Sequence, residues 1–147
     1  MTTIAYKNGM IACDSFYTSG GVITDHNAKK RKDVNGVIFF MSGAVSDDTT
    51  LIGAYFGEQL PDGPLNSCAL VVDKDELYQV GIDEHEGFWK SPLNWENHYA
   101  FGSGGNFAIV AMDMGADVKR AVKAAIHRDI YSGGKINIYK VKQIVSN

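Results

Sequence analysis

The sequence predicts an α+β protein with one domain over residues 1–147. Short β-type segments dominate the first half, and Asn8-Gly9 and Asn35-Gly36 are hairpin turn signals between them. Apolar residues at helical spacing indicate one helix near the middle and two near the end. This order of elements favours α+β layers over a parallel βαβ sheet.

The predicted strands fill most of the chain up to residue 101. They are Thr3–Tyr6, Met10–Asp14, Val22–Thr24, Lys29–Asp33, Val37–Met41, Ser67–Val72, Leu77–Ile82 and His98–Phe101. The run Val37–Met41 is apolar at every position, so we expect a strand that is buried on both faces. The segment that contains Trp89, Pro92 and Trp95 has no clear period and is interpreted as rich in loops.

Helical spacing appears in three places. The first helix covers about Thr49 to Gln59 and is stopped by Pro61-Asp62-Gly63-Pro64. The second runs from Asn106 to Met114 and is closed by Gly115 as its C′ glycine. The third covers Asp117 to about Ile130, and alternation from Lys135 to Val141 predicts a last strand.

Composition narrows the classes of function. A net charge of −3 argues against nucleic acid as the main partner. We expect no membrane span and no signal peptide, because no apolar run reaches about 18 residues and no basic segment leads into one. Two unpaired cysteines favour a cytoplasmic protein. The four histidines lack metal-ligand spacing, so we expect no metal and no cofactor.

Thr2 is the first candidate for chemistry. A small residue at position 2 allows Met1 to be trimmed, which would leave a hydroxyl nucleophile and a free amine on one residue. In threonine nucleophile catalysis that amine serves as the base for the hydroxyl. If Met1 is retained, the amine lies on the wrong residue and the site is blocked.

Five motifs in order support this interpretation. They are Thr2-Thr3-Ile4 with Ile11-Ala12-Cys13-Asp14-Ser15, Asn27-Ala28-Lys29-Lys30, Met41-Ser42-Gly43-Ala44-Val45-Ser46-Asp47, Phe101-Gly102-Ser103-Gly104-Gly105, and Arg128-Asp129-Ile130-Tyr131-Ser132-Gly133-Gly134. Together they resemble the proteasome β-subunits and bacterial HslV-type peptidases, which are N-terminal nucleophile hydrolases. The resemblance implies a four-layer αββα sandwich with two antiparallel sheets between helices.

The resemblance also implies a role for each matched residue. Thr2 would be the nucleophile, Lys30 the adjacent positive charge, and Asp14 the partner that holds this lysine. The backbone N–H of Gly43 would donate to the oxyanion. Ser103, Asp129 and Ser132 would hydrogen-bond around the Thr2 amine and fix its position.

A substrate surface follows from the same resemblance. Thr18 and Ser19 match the segment that pairs with extended substrate backbone. The pocket beside the scissile bond would be lined by Tyr17, Ala28, Lys32, Met41 and Val45. The apolar members suggest a preference for an apolar substrate side chain, which Lys32 complicates.

The implied function is a threonine-type peptidase that cleaves peptides or unfolded proteins. The resemblance implies a homo-oligomer whose sites face an enclosed chamber, with an ATP-dependent unfoldase as a possible partner. The region between Gly43 and Ser103 holds about one helix where the family has two long ones, which puts the usual double ring in doubt. Two alternatives stay open: a non-catalytic structural subunit, and an amidase acting on a small amide.

Overall fold

The computed structural model describes residues 2–83, 85 and 87–143. Its contacts divide the chain into two compact units. The first contains the described residues up to Lys30 and from Asn94 onward, and the second contains Arg31–Leu93. The single domain expected from the sequence stays a prediction.

The strands of the first unit are β1 Ile4–Lys7, β2 Met10–Cys13, β3 Tyr17–Ser19, β4 Val22–Asp25, β10 Tyr99–Phe101 and β11 Asn137–Lys140. This unit is built on a four-stranded antiparallel sheet with the order β10-β1-β2-β11. Asn8 and Gly9 both have positive φ, 53° and 75°, as the predicted hairpin turn between β1 and β2 requires. A separate two-stranded sheet, β3-β4, follows β2 in the chain.

Two helices pack on the four-stranded sheet. They are α2, Gly105–Asp113, and α3, Val118–Arg128, and small side chains such as Ala5, Ala108 and Ala121 fill the core between helices and sheet. The predicted C′ glycine after α2 is confirmed, since Gly115 has φ 101°. Small residues let the helices approach the sheet closely, which brings the turns at their ends near β1.

The second unit is a five-stranded antiparallel sheet with one short helix. The elements are β5 Arg31–Val34, β6 Val37–Gly43, α1 Asp48–Tyr55, β7 Asn66–Asp73, β8 Glu76–Asp83 and β9 Gly87–Leu93, with a 3₁₀ turn at Val45–Asp47. The strand order is β5-β6-β7-β8-β9, and α1 packs on the sheet through a core that includes Phe39, Leu51, Val71 and Val80. The buried strand predicted at Val37–Met41 is confirmed within β6.

Two local predictions are wrong for identifiable reasons. The first helix ends at Tyr55 because Gly57 adopts φ 94° and Glu58 N donates to Gly53 O at 2.9 Å, a Schellman cap that precedes the expected stop. The supposed loop around Trp89 is strand β9. It lies at the edge of its sheet, where Pro92 is tolerated.

The four-layer αββα sandwich is also wrong. The described residues form mostly antiparallel β-sheet with three short helices, and the five-stranded sheet has a single α-helix of eight residues. One such helix cannot supply a helical layer across a five-stranded sheet. Across residues 2–83, 85 and 87–143, no helix combines the length and apolar character needed to cross a membrane.

Candidate active site

The hydroxyl of Thr2 lies against the ammonium group of Lys30. Thr2 precedes β1 and is 3% exposed, and Lys30 is 1% exposed. Lys30 Nζ donates to Thr2 Oγ1 at 2.6 Å. A lysine is rarely buried to this extent unless its charge is paired, so its other contacts decide what it can do.

The Lys30 ammonium group also contacts a backbone carbonyl and a carboxylate. Its Nζ donates to the Phe16 carbonyl at 2.7 Å and lies 3.5 Å from Asp14 Oδ1. The Tyr17 ring centroid is 4.9 Å from the same nitrogen. These contacts compensate the buried charge and aim it at the Thr2 hydroxyl.

Asp14 follows β2 directly, and its carboxylate is fixed by backbone donors. Oδ1 accepts from Thr3 N at 2.9 Å, while Oδ2 accepts from Phe16 N at 3.2 Å and Gly133 N at 3.1 Å. Asp14 is 0% exposed. Its carboxylate therefore joins the N-terminal segment, the turn after β2 and the segment after α3, while pairing with Lys30.

A second polar cluster is centred on Asp129, which follows α3. Ser103 Oγ and Ser132 Oγ each donate to Asp129 Oδ2 at 2.6 Å, and Tyr131 N donates to Oδ1 at 3.0 Å. Ser103 Oγ is also 3.5 Å from the Thr2 carbonyl oxygen. The cluster thus brings Ser103, Asp129 and Ser132 together, with Ser103 beside the Thr2 carbonyl, while their hydrogen bonding around the Thr2 amine stays a prediction.

The hydroxyl protons in this cluster have a defined direction. Each hydroxyl carries one proton, and the serines direct theirs to the Asp129 carboxylate. In the 2.7 Å contact between Thr3 Oγ1 and Ser132 Oγ, Thr3 is therefore the donor. Because its proton is directed to Asp129, Ser103 Oγ retains lone pairs that can accept a hydrogen bond.

Sequence reasoning missed several residues of this network. Thr3 contacts both Asp14 and Ser132, and Gly104 leaves room for it, since a Cβ at Gly104 would overlap Thr3 Oγ1. Gly133 supplies a backbone donor to Asp14. The double glycines at 104–105 and 133–134 are the sequence signal that could have indicated these close backbone approaches.

The substrate residues predicted in the first unit lie on and after β3. Tyr17 and Thr18 are half-buried, Ser19 is exposed, and Tyr17 Oη donates to the Lys29 carbonyl at 3.3 Å. Ala28 is buried, and its N–H donates to Ser15 O at 2.8 Å. Their contact with substrate stays a prediction.

The remaining predicted site residues belong to the second unit. Gly43 ends β6 with φ 107°, Met41 is buried in the apolar core of that unit, and Val45 is half exposed in the 3₁₀ turn. Lys32 lies exposed on β5. The oxyanion role of Gly43 and the pocket roles of the others stay predictions.

The thiol of Cys13, the residue before Asp14, is unsuited to act as a nucleophile. Burial raises the pKa of Cys13, and the negative charge of Asp14 adds to that effect while Lys30 opposes it. A thiol with a raised pKa is protonated at neutral pH and is inert. Within the described part of the chain, no group of three or more histidine, cysteine, aspartate or glutamate side chains could hold a metal ion.

Two solved structures have a similar fold. One is BPH of Thiobacillus denitrificans in complex with epoxomicin, with a TM-score of 0.66 and 17% identity over 96% of this chain and 98% of that chain. A second BPH structure from this organism has a TM-score of 0.64 and 18% identity over the same shares. No family model and no curated protein matches the chain. At such identities the likeness establishes the fold alone.

Proposed function

We propose that this protein is a threonine-type endopeptidase whose nucleophile is Thr2 after removal of Met1. The observation that carries the proposal is the 2.6 Å contact between Lys30 Nζ and Thr2 Oγ1, made by a lysine that is 1% exposed. A buried ammonium group at a threonine hydroxyl stabilises negative charge that develops on that oxygen.

The proposed reaction begins with the free α-amine of Thr2. It takes the hydroxyl proton, directly or through a water, as Oγ1 attacks the peptide carbonyl carbon. The C–N bond of the tetrahedral intermediate then breaks, and the proton passes to the leaving amine. Water hydrolyses the resulting ester, which releases the acyl product and restores the Thr2 hydroxyl.

The second cluster would orient the base. Ser103 Oγ has lone pairs available near the Thr2 backbone, because its proton is directed to Asp129. An α-amine that donates to Ser103 would keep its own lone pair for the Thr2 hydroxyl. Ser132 and Asp129 would act through Ser103 and Thr3 by fixing their positions.

The substrates we propose are peptides or unfolded proteins, bound with their backbone extended along Thr18 and Ser19. We also propose a homo-oligomer that encloses its sites in a cytoplasmic chamber, with an ATP-dependent unfoldase as a possible partner. The sequence resemblance supports these proposals. BPH of Thiobacillus denitrificans was solved in complex with epoxomicin, so we propose that epoxomicin binds here too.

The first experiment is intact mass measurement followed by a peptide cleavage assay. We expect the purified protein to lack Met1 and to release a fluorogenic amine from peptide amides. Thr2→Ala should abolish cleavage, and Thr2→Ser, which retains a hydroxyl, should keep part of it. Thr49→Ala is a matched control on the exposed side of α1. Cleavage by Thr2→Ala at the parental rate would overturn the mechanism.

The same preparations separate the alternatives. A retained Met1 with a folded, inactive oligomer would favour the structural subunit. Hydrolysis of small amides by a monomer that leaves peptides intact would favour the amidase. Inhibition of cleavage by epoxomicin, measured on protein that lacks Met1, is the result expected of the peptidase.

A further inference from the structure

Ser15 joins three segments of the candidate site through its backbone. It follows Asp14 and is 0% exposed. Its N–H donates to Gly133 O at 2.8 Å, and its carbonyl accepts from Ala28 N at 2.8 Å. Ser15 therefore connects the turn after β2 to the segment leading to Lys30 and to the segment after α3.

The side chain of Ser15 adds a second connection. Its hydroxyl donates to the carbonyl of Lys135 and accepts from Asn137 Nδ2 at 3.1 Å. Asn137 is 9% exposed and is the first residue of β11, opposite Cys13 in the sheet register. Because both groups are buried, removing one leaves the other without this partner, which is costly.

This link bears on the segment between α3 and β11, which has no regular secondary structure. The segment carries Ser132 and the Gly133 N–H that donates to Asp14 Oδ2 at 3.1 Å. Its path is closely packed, because a Cβ at Gly133 would overlap the Phe16 ring. The chain there is held at Asp129 on one side and by the Ser15 hydroxyl on the other.

We propose that Ser15 and Asn137 are positioning residues for the candidate site. Asn137 orients the Ser15 hydroxyl, and that hydroxyl holds the Lys135 carbonyl. This contact fixes the Gly133 amide against Asp14 and Ser132 against Thr3. They act through Asp14 and Ser132 and not on Thr2 directly. The expected effect on kcat rests on the proposed peptidase function. The expected effect on the position of the Gly133 amide rests on the geometry alone.

The test compares Ser15→Ala, Asn137→Ala and the double variant in the full chain after removal of Met1. We expect each single variant to lower kcat about 10-fold to 100-fold with little change in KM, since small displacements of catalytic groups have effects of that size. The double variant should resemble Ser15→Ala, because Asn137 acts on this segment only through the Ser15 hydroxyl.

Tyr6→Phe is the matched control. It deletes another buried hydroxyl of the first unit, which donates to the Trp95 carbonyl at 2.6 Å. It should lower thermal stability while leaving kcat unchanged. Hydrogen exchange of the Gly133 amide supplies a readout independent of activity, and it should accelerate in Ser15→Ala but not in Tyr6→Phe.

Each outcome decides one question. Parental kcat and slow Gly133 exchange in Ser15→Ala and Asn137→Ala, with Thr2→Ala inactive, would overturn the positioning role and leave the peptidase function standing. Parental cleavage by Thr2→Ala would overturn the peptidase function, and Gly133 exchange would then decide the positioning role alone. Activity losses no larger than the loss of folded protein would also overturn it.

Discussion

Lys30 Nζ lies 2.6 Å from Thr2 Oγ1 and 3.5 Å from Asp14 Oδ1, with both charged side chains at most 1% exposed. The ammonium group thus bridges a hydroxyl and a carboxylate away from bulk water. Electrostatic interactions are stronger in such an environment than at the surface, so this lysine has more influence on the Thr2 oxygen than a surface lysine would.

The first prediction concerns Lys30→Met. It removes the charge beside Thr2 and leaves Asp14 buried without its ion-pair partner, so we expect loss of cleavage and about 3–5 kcal/mol lower stability. Urea unfolding and peptide cleavage measure the two effects. Lys29→Met, at the exposed neighbouring position, should change neither, and an active, stable Lys30→Met would contradict the assigned role.

The second prediction separates the two adjacent threonines. Thr3 Oγ1 is directed to Ser132 and not to Lys30, so Thr3 is a positioning residue. Thr3→Ala should reduce kcat without abolishing cleavage, while Thr3→Ser should restore most of it because the hydroxyl returns. Steady-state kinetics check this, and complete loss of activity in both variants would refute the distinction.

The third prediction concerns Gly104→Ala. The added Cβ would overlap Thr3 Oγ1 and lie 3.1 Å from the Ala125 Cβ, so we expect about 1–3 kcal/mol of destabilisation from overpacking. Combining it with Thr3→Ala removes the overlapping oxygen and should recover part of the stability. Thermal unfolding of the two single variants and the double variant tests this, and purely additive losses would contradict it.

The fourth prediction is a loss of stability at alkaline pH. Burial raises the pKa of Cys13 in the folded state above its ordinary value of 9.0. Above that pH the unfolded chain releases the thiol proton while the folded chain retains it. The free energy of unfolding is therefore unaffected by this thiol below about pH 9 and falls as pH rises further. Unfolding by urea from about pH 7 to about pH 10 should show the decline.

Cys13→Ala provides the comparison for that experiment. This variant should lower the free energy of unfolding at neutral pH, because the packing of the buried sulfur is lost. It should also make the alkaline decline in the free energy of unfolding less steep, because one of the responsible thiols is gone. The decline should not vanish, because burial also raises the pKa of Cys68. An identical decline in the variant and the parent would show that Cys13 contributes nothing to it.

Much of the fold could be predicted from local sequence. Asn8-Gly9 specified its turn because both residues adopt positive φ at little cost, and the apolar run at Val37–Met41 specified a buried strand. The end of α1 was missed because Gly57 forms a cap before Pro61 is reached. The prediction of helical layers was wrong because it came from the resemblance and not from the local sequence.

The sequence by itself determined which side chains are available: a threonine at position 2, an aspartate after an apolar strand, a lysine pair, and serines beside glycines. Only the tertiary structure decided which of them meet. Thr2, Asp14 and Lys30 come from three different segments of the chain, and the fold brings them together. The direction of the side chains decided that Lys30 and not Lys29 meets Thr2, and that Thr3 turns to Ser132 instead. The links of Ser15 to Asn137 and of Thr3 to Ser132 join residues more than 100 positions apart. Such pairings depend on sheet register and helix packing, which no local pattern encodes.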